Sequence, residues 1–137
     1  MKDLGAVVER WFELLNAHDL AALADLYAAD CEYVRSNGTS HGPAEVAAYF
    51  AAIADSFPDH AARVEAMVIG GSAVTVEWTE TGTHTEDYRS GTGEVIVATG
   101  KSFEVRIVDV IRFDGELISS QHEYFDRLDF LTQIGWL

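Results

Sequence analysis

Positive charge is scarce in this sequence. Nine Lys and Arg stand against 23 Asp and Glu, giving a formal net charge of −14. The nine are scattered along the chain rather than gathered into a stripe. Such a surface repels phosphate backbones and anionic headgroups, so neither nucleic acid nor a membrane surface is expected as a partner. Cysteine is nearly absent too, and the single Cys31 rules out an internal disulfide. The opening MKDLGAVVER lacks the long apolar run of a signal peptide or a membrane span, so a cytoplasmic location is expected. Paired cysteines, HExxH, GxxxxGKS/T and a GxGxxG after a strand are all missing, which removes the usual metal, nucleotide and dinucleotide signals. GTGEV at 91–95 has two glycines but no strand-to-helix setting, and reads as a turn. Histidines at 18, 41, 60, 84 and 122 are too far apart for a local metal site. No metal and no cofactor are therefore expected.

Apolar residues make up 48% of the 137, enough for one domain, spanning 1–137, to build its own core. Leu4, Val7, Val8, Trp11, Phe12, Leu14 and Leu15 recur at helical spacing and predict an amphipathic helix over 3–17. Asp19 looks like the N-cap of a second helix, Leu20 to Ala28, and CEYVR at 31–35 has strand character. Pro43 suits the first turn of a third helix running to about Ala54, and the FPDH after it reads as a turn. Beyond it the period changes to two. Strands are expected over 61–70, 72–86, 101–113 and 116–125, with turns at Gly70–Gly71 and Asp114–Gly115. DRLDFLTQIG closes the chain as a short helix between an aspartate cap and a glycine. Helices followed by an antiparallel meander give an α+β class.

Alternate side chains of a strand face opposite ways. In 103–113 one row is Phe103, Val105, Ile107, Asp109, Ile111 and Phe113, and in the preceding strand Val74, Val76, Trp78 and Glu80 share a row. Each apolar row carries one acid. A buried, unpaired carboxylate is costly, so such a residue is paired, hydrated in a cavity, or functional. Glu80 could instead be leaving the sheet, and Asp109 could pair with an arginine across the strands. The final strand divides into Ser119, Gln121, Glu123, Phe125 and Ile118, Ser120, His122, Tyr124, with neither row clearly the inner one.

EWTETGTHTE at 77–86, ATGK at 98–101, DVIRFDGELI at 109–118 and YFDRLDFLTQIG at 124–135 together resemble the SnoaL-like polyketide cyclases of the nuclear transport factor 2-like superfamily. Ketosteroid isomerases and limonene epoxide hydrolases are relatives in that superfamily. The resemblance covers essentially the whole chain and implies a curved antiparallel sheet wrapped by helices into a cone with a deep apolar pocket. It places the cyclases' acid/base aspartate at Glu123, their pocket histidine at Asp109 and their pocket asparagine at Arg35, so the residue differs at all three positions. The arginine of the epoxide hydrolases falls at Trp78 and their aspartate at Glu80. The implied pocket face is Tyr33, Arg35, Trp78, Glu80, Asp109, Glu123 and Phe125, with His84 near its mouth.

The expected activity is a cofactor-independent cyclisation or isomerisation of an apolar, polyketide-like or polycyclic carbonyl compound. Glu123 would be the general base and acid, with Asp109 or Glu80 raising its pKa. Arg35 and Tyr33 would hold the substrate oxygen, and Trp78 and Phe125 would be apolar walls. Epoxide opening is the alternative reaction, favoured if Arg35 lies between Glu80 and Glu123. A non-catalytic binding or assembly domain is the alternative of another class, favoured if side chains fill the pocket. His122 and Tyr124 are expected on the outer face and Asp126 as a helix cap. A homodimer is expected through the row Glu104, Arg106, Val108, Val110, Arg112, whose opposite charges around a valine pair can meet their own copy across a two-fold axis.

Overall fold

The computed structural model describes residues 3–89 and 93–137. Helix α1 (Leu4–Asn16) begins at Asp3, whose side chain accepts the Ala6 N–H. Helix α2 (Leu20–Ala24) starts in the same way, with Asp19 accepting from the Ala22 N–H. Strand β1 (Tyr27–Arg35) and the short β2 (Gly38–His41) form a hairpin before α3 (Gly42–Ser56). Then come β3 (Ala61–Gly70), β4 (Ala73–Thr83), the two-residue strands β5 (Tyr88–Arg89) and β6 (Val95–Ile96), β7 (Ser102–Asp114), β8 (Leu117–Phe125) and α4 (Arg127–Gln133). The turn expected at 91–95 begins outside the described residues.

Six strands make one curved, unclosed sheet in the order β2-β1-β8-β7-β4-β3, giving the mixed α+β class. Tight β3–β4 and β7–β8 turns are permitted by Gly71 and Gly115, both at positive φ (60° and 63°). Two details differ from the expected layout. The second helix stops at Ala24 because Tyr27 and Ala28 already belong to β1, with Tyr27 paired to Ile118. That pairing is parallel, so β1 joins the otherwise antiparallel sheet beside the last strand of the chain. Chain beginning and end thus meet at the centre of the sheet, and α1 and α3 cover its inner face.

The core on that face is strongly aromatic. Trp11 packs edge-on against Phe12, Phe50 and Trp78, and Phe57 against Phe103 and Phe130. Gly82 has no Cβ for a reason. One built there would lie 2.8 Å from the Phe103 ring and 3.1 Å from Phe57, so the aromatic wall closes over a bare backbone.

Candidate active site

Antiparallel pairing sets Asp109 of β7 directly opposite Glu123 of β8. Directly opposed side chains point the same way with Cβ atoms about 5 Å apart, so the two carboxyl groups meet on the inner face. Both are buried, Asp109 at 0% exposure and Glu123 at 6%. Two ionised carboxylates in such a place would be prohibitively costly, so the pair retains a proton. Burial is the main force pushing the Asp109 carboxyl up to about 7, against hydrogen bonds from Gln121 and Trp78 that favour its ionised form. Glu123 is driven well above the usual carboxylate range, first by burial and then by the charge of Asp109. The two carboxyl groups also act on each other electrostatically. They titrate as a unit, and the steps belong to the pair rather than to either residue.

A chain of neutral donors orders this pair. Trp11 Nε1 donates to the Tyr27 hydroxyl at 2.9 Å, Tyr27 donates to Gln121 Oε1, and Gln121 Nε2 donates to Asp109 Oδ2 at 2.5 Å. Trp78 Nε1 donates to the other oxygen, Oδ1, at 3.3 Å. On the far side Tyr33 donates to Glu123 Oε1 at 2.6 Å, and burial first, then the nearby Glu123, keep its phenol neutral by raising its pKa well above the ordinary value. Asp109 is therefore saturated by protein groups. Glu123 is the carboxyl that meets open space.

That space is narrow. Tyr33, Tyr49, Phe50, Ile53, Glu80, Tyr88, Ile107, Glu123, Phe125 and Phe130 enclose a cavity of about 20 Å³, room for one water-sized group. Asp109 stands behind it rather than on its wall. A second cleft, about 220 Å³ and lined by Val34, Arg35, Ser36, His122, Glu123, Tyr124 and Phe125, reaches Glu123 from the protein surface. It opens where β1 and β8 part company beyond Val34 and His122, the last pair in their register. The larger trough of about 840 Å³ on the outer face is lined by Arg63, Glu65, Glu77, Thr79, Glu104 and Arg106 among others. Arg63 and Glu65 pair there at 2.9 Å with both side chains exposed, unlike the buried carboxyls of the inner site.

Of the residues singled out in the sequence, Tyr33, Trp78, Asp109 and Glu123 come together, and Glu80 and Phe125 line the small cavity with them. Arg35 takes a different place. Its guanidinium lies 3.7 Å over the Tyr49 ring and donates to Asn37 Oδ1 and Ser40 Oγ, so it hydrogen-bonds neither Glu80 nor Glu123 among the described residues. It stands at the outer cleft because β1 diverges there. His84 also departs from the expected pocket mouth. It is fully buried against Phe57, 5.4 Å between rings, with Nδ1 3.2 Å from Thr99 Oγ1, and burial lowers its pKa. His122 and Tyr124 face away from the pair, His122 3.7 Å from Glu32, and Asp126 caps α4 by accepting the Asp129 N–H at 2.9 Å. Trp11, Tyr27 and Gln121 were missed as site members. Gln121 alone left a trace, since it shares a row with Glu123.

The model of the SnoaL-like domain family matches residues 8–121, most of the chain. The chain belongs to the SnoaL-like family. No curated protein matches it significantly in sequence. Solved structures agree on the fold of this SnoaL-like domain. A protein from Jannaschia sp. CCS1, provisionally named a SnoaL-like polyketide cyclase, is 20% identical with a TM-score of 0.84, covering 96% of this chain and 90% of its own. IdmH from Streptomyces antibioticus, provisionally named a polyketide cyclase, is 22% identical with a TM-score of 0.81, covering 98% and 99%. A protein of ketosteroid isomerase-like fold from Catenulispora acidiphila, solved with trimethylamine, is 22% identical with a TM-score of 0.79, covering 94% and 92%. Among the described residues, no helix is long and apolar enough to cross a membrane.

Proposed function

We propose that this SnoaL-like domain is an acid–base enzyme that moves a proton to and from an apolar carbonyl compound, using Glu123 backed by Asp109. The observation that carries the reading is Glu123 itself: a buried carboxyl set directly opposite a second buried carboxyl, and the member of that pair that faces open space. When the shared proton sits on Asp109, Glu123 is a base able to take a proton from carbon next to a carbonyl. When it sits on Glu123, the same group is an acid able to return one to oxygen or carbon. Such a switch fits isomerisation or an aldol-type ring closure, the chemistry the polyketide cyclase names of the structural neighbours suggest. The 220 Å³ cleft would admit the reacting end, with Arg35 at its mouth to attract developing negative charge on oxygen. The Arg35 geometry gives no support to epoxide opening by a pair of arginine-bridged carboxylates.

A second reading is favoured by one observation, the filling of the inner cavity to about 20 Å³ by tyrosine and phenylalanine side chains. On that reading the domain binds a small ligand without converting it. Incubation of the protein with polyketide-like ketones in deuterated buffer separates the two. Exchange of the proton next to the carbonyl, lost in Glu123→Gln, is expected of the enzyme. Saturable binding with no exchange by any ketone would show a binding domain instead.

A further inference from the structure

His60 reaches the polar wall of the cavity from outside the carboxyl row. It ends the FPDH turn, two residues before Ala62, which pairs with Glu80 across β3 and β4. That spacing makes it the diagonal neighbour of Glu80, a distance long side chains span. The His60 side chain is 1% exposed, that of Glu80 15%, and Nε2 lies 3.1 Å from Glu80 Oε2. Nε2 has no aligned hydrogen-bond partner among the described residues, so the imidazole and the carboxylate are close without a hydrogen bond between them. The backbone that carries the ring is nonetheless held in place. The His60 N–H donates to the Phe57 carbonyl at 2.8 Å, and its own carbonyl lies 3.4 Å from His18 Nε2. A buried imidazole with an unaligned nitrogen is tolerated where the neighbouring charge gives it a purpose.

We propose that His60 is a positioning residue of the candidate active site: it pairs with Glu80, holds that carboxylate on the cavity wall, and offsets its charge against the Asp109–Glu123 pair. His60 is faced by Glu80 from β4, by His18 with ring centroids 6.2 Å away, and by the adjacent Asp59. Glu80 is faced by His60 and acts electrostatically on Asp109, Glu123, Tyr49 and Tyr88. The Glu80 charge makes the Asp109–Glu123 pair hold its proton more tightly, and an imidazole set against Glu80 opposes that effect. Any effect on turnover rests on the acid–base reading above, but the pairing does not.

The test follows the carboxyl carbons of the whole protein by NMR as pH is varied. Glu80→Gln should lower the midpoint of the Asp109–Glu123 pair by about one pH unit, tenfold in proton affinity, because a like charge has gone. His60→Gln should raise the midpoint of the pair. Opposite displacements are a signature that loosened packing alone does not give. The proposal is overturned if both substitutions move the pair in the same direction, or if His60→Gln leaves it where it stands in the parent protein. Should His60→Gln fail to fold, His60→Asn is read by the same comparison. Absence of any ketone turnover would count against the enzymatic reading and leave this titration result standing.

Discussion

Glu65 and Glu123 are the same side chain on opposite faces of one sheet. On the outer face Glu65 accepts from the Thr79 hydroxyl and the Arg63 guanidinium, both at 2.9 Å, and these contacts, Thr79 first, hold its carboxyl below its usual range. On the inner face Glu123 has a phenol on one side, another carboxyl on the other and no cation in contact among the described residues, and its pKa rises. Local sequence does not distinguish them. What differs is the direction in which the pleat sends the side chain, and that decides whether a glutamate is a surface anion or an acid.

The comparison predicts its own largest contrast. Glu123→Gln keeps shape and removes the titrating group, so turnover should fall by about two to four orders of magnitude with folding preserved. Glu65→Gln should change the rate less than about twofold, since an exposed pair contributes little. Steady-state rates alongside thermal unfolding check both, and a slow Glu65→Gln enzyme would move the chemistry to the outer trough.

Asp109→Asn sharpens the contrast through pH. An Asp109 carboxyl at about 7 in the folded protein binds its proton more tightly than the unfolded chain does, at about 3.9. Its contribution to stability is therefore complete below about pH 4 and lost as pH rises through about 7. Relative to the parent, Asp109→Asn should gain on the order of a few kcal/mol between pH 4 and pH 8 in urea unfolding. A difference that is flat across this range would contradict the raised Asp109. The same substitution should lower the midpoint of Glu123, because a like charge has gone.

Much of this site was legible from residue order. Asp109 and Glu80 stood out as acids in apolar rows, and both lie on the inner face. Glu123 did not, because the register slips between Arg112 and Phe113: Ser120 pairs with the first and Ile118 with the second, leaving Ser119 over. That bulge puts Ile118 on the core side together with Gln121 and Glu123, so neither alternating row looked apolar. The resemblance to the cyclases, not the pattern, located Glu123. Tyr27 was hidden inside an expected helix, and its link to Gln121 spans 94 positions of sequence. His60 was hidden in a turn. His84 misled in the other direction, since a polar residue at a strand end reads as a mouth residue whether it faces ligand or Phe57. The strands β2, β5 and β6 are too short to carry a period.

Two smaller effects test the remaining assignments. If the row from Glu104 to Arg112 pairs with its own copy, light scattering should give about twice the 15.0 kDa chain mass, and Val108→Glu should return it to the single value. A single-chain mass across a wide concentration range would remove the dimer. Asp126→Asn should be nearly silent, costing a few tenths of a kcal/mol in urea unfolding, because asparagine caps a helix almost as well as aspartate.

The claim on which the rest depends is that Glu123 and Asp109 share a proton at neutral pH. Carboxyl carbon NMR of the unsubstituted protein reads this directly, with each residue assigned from its Asn or Gln variant. The account predicts linked titration of the two signals, with midpoints displaced above the ordinary carboxylate range and each signal responding when the other residue is substituted. Two independent steps near pH 4, the ordinary carboxylate range, would contradict it.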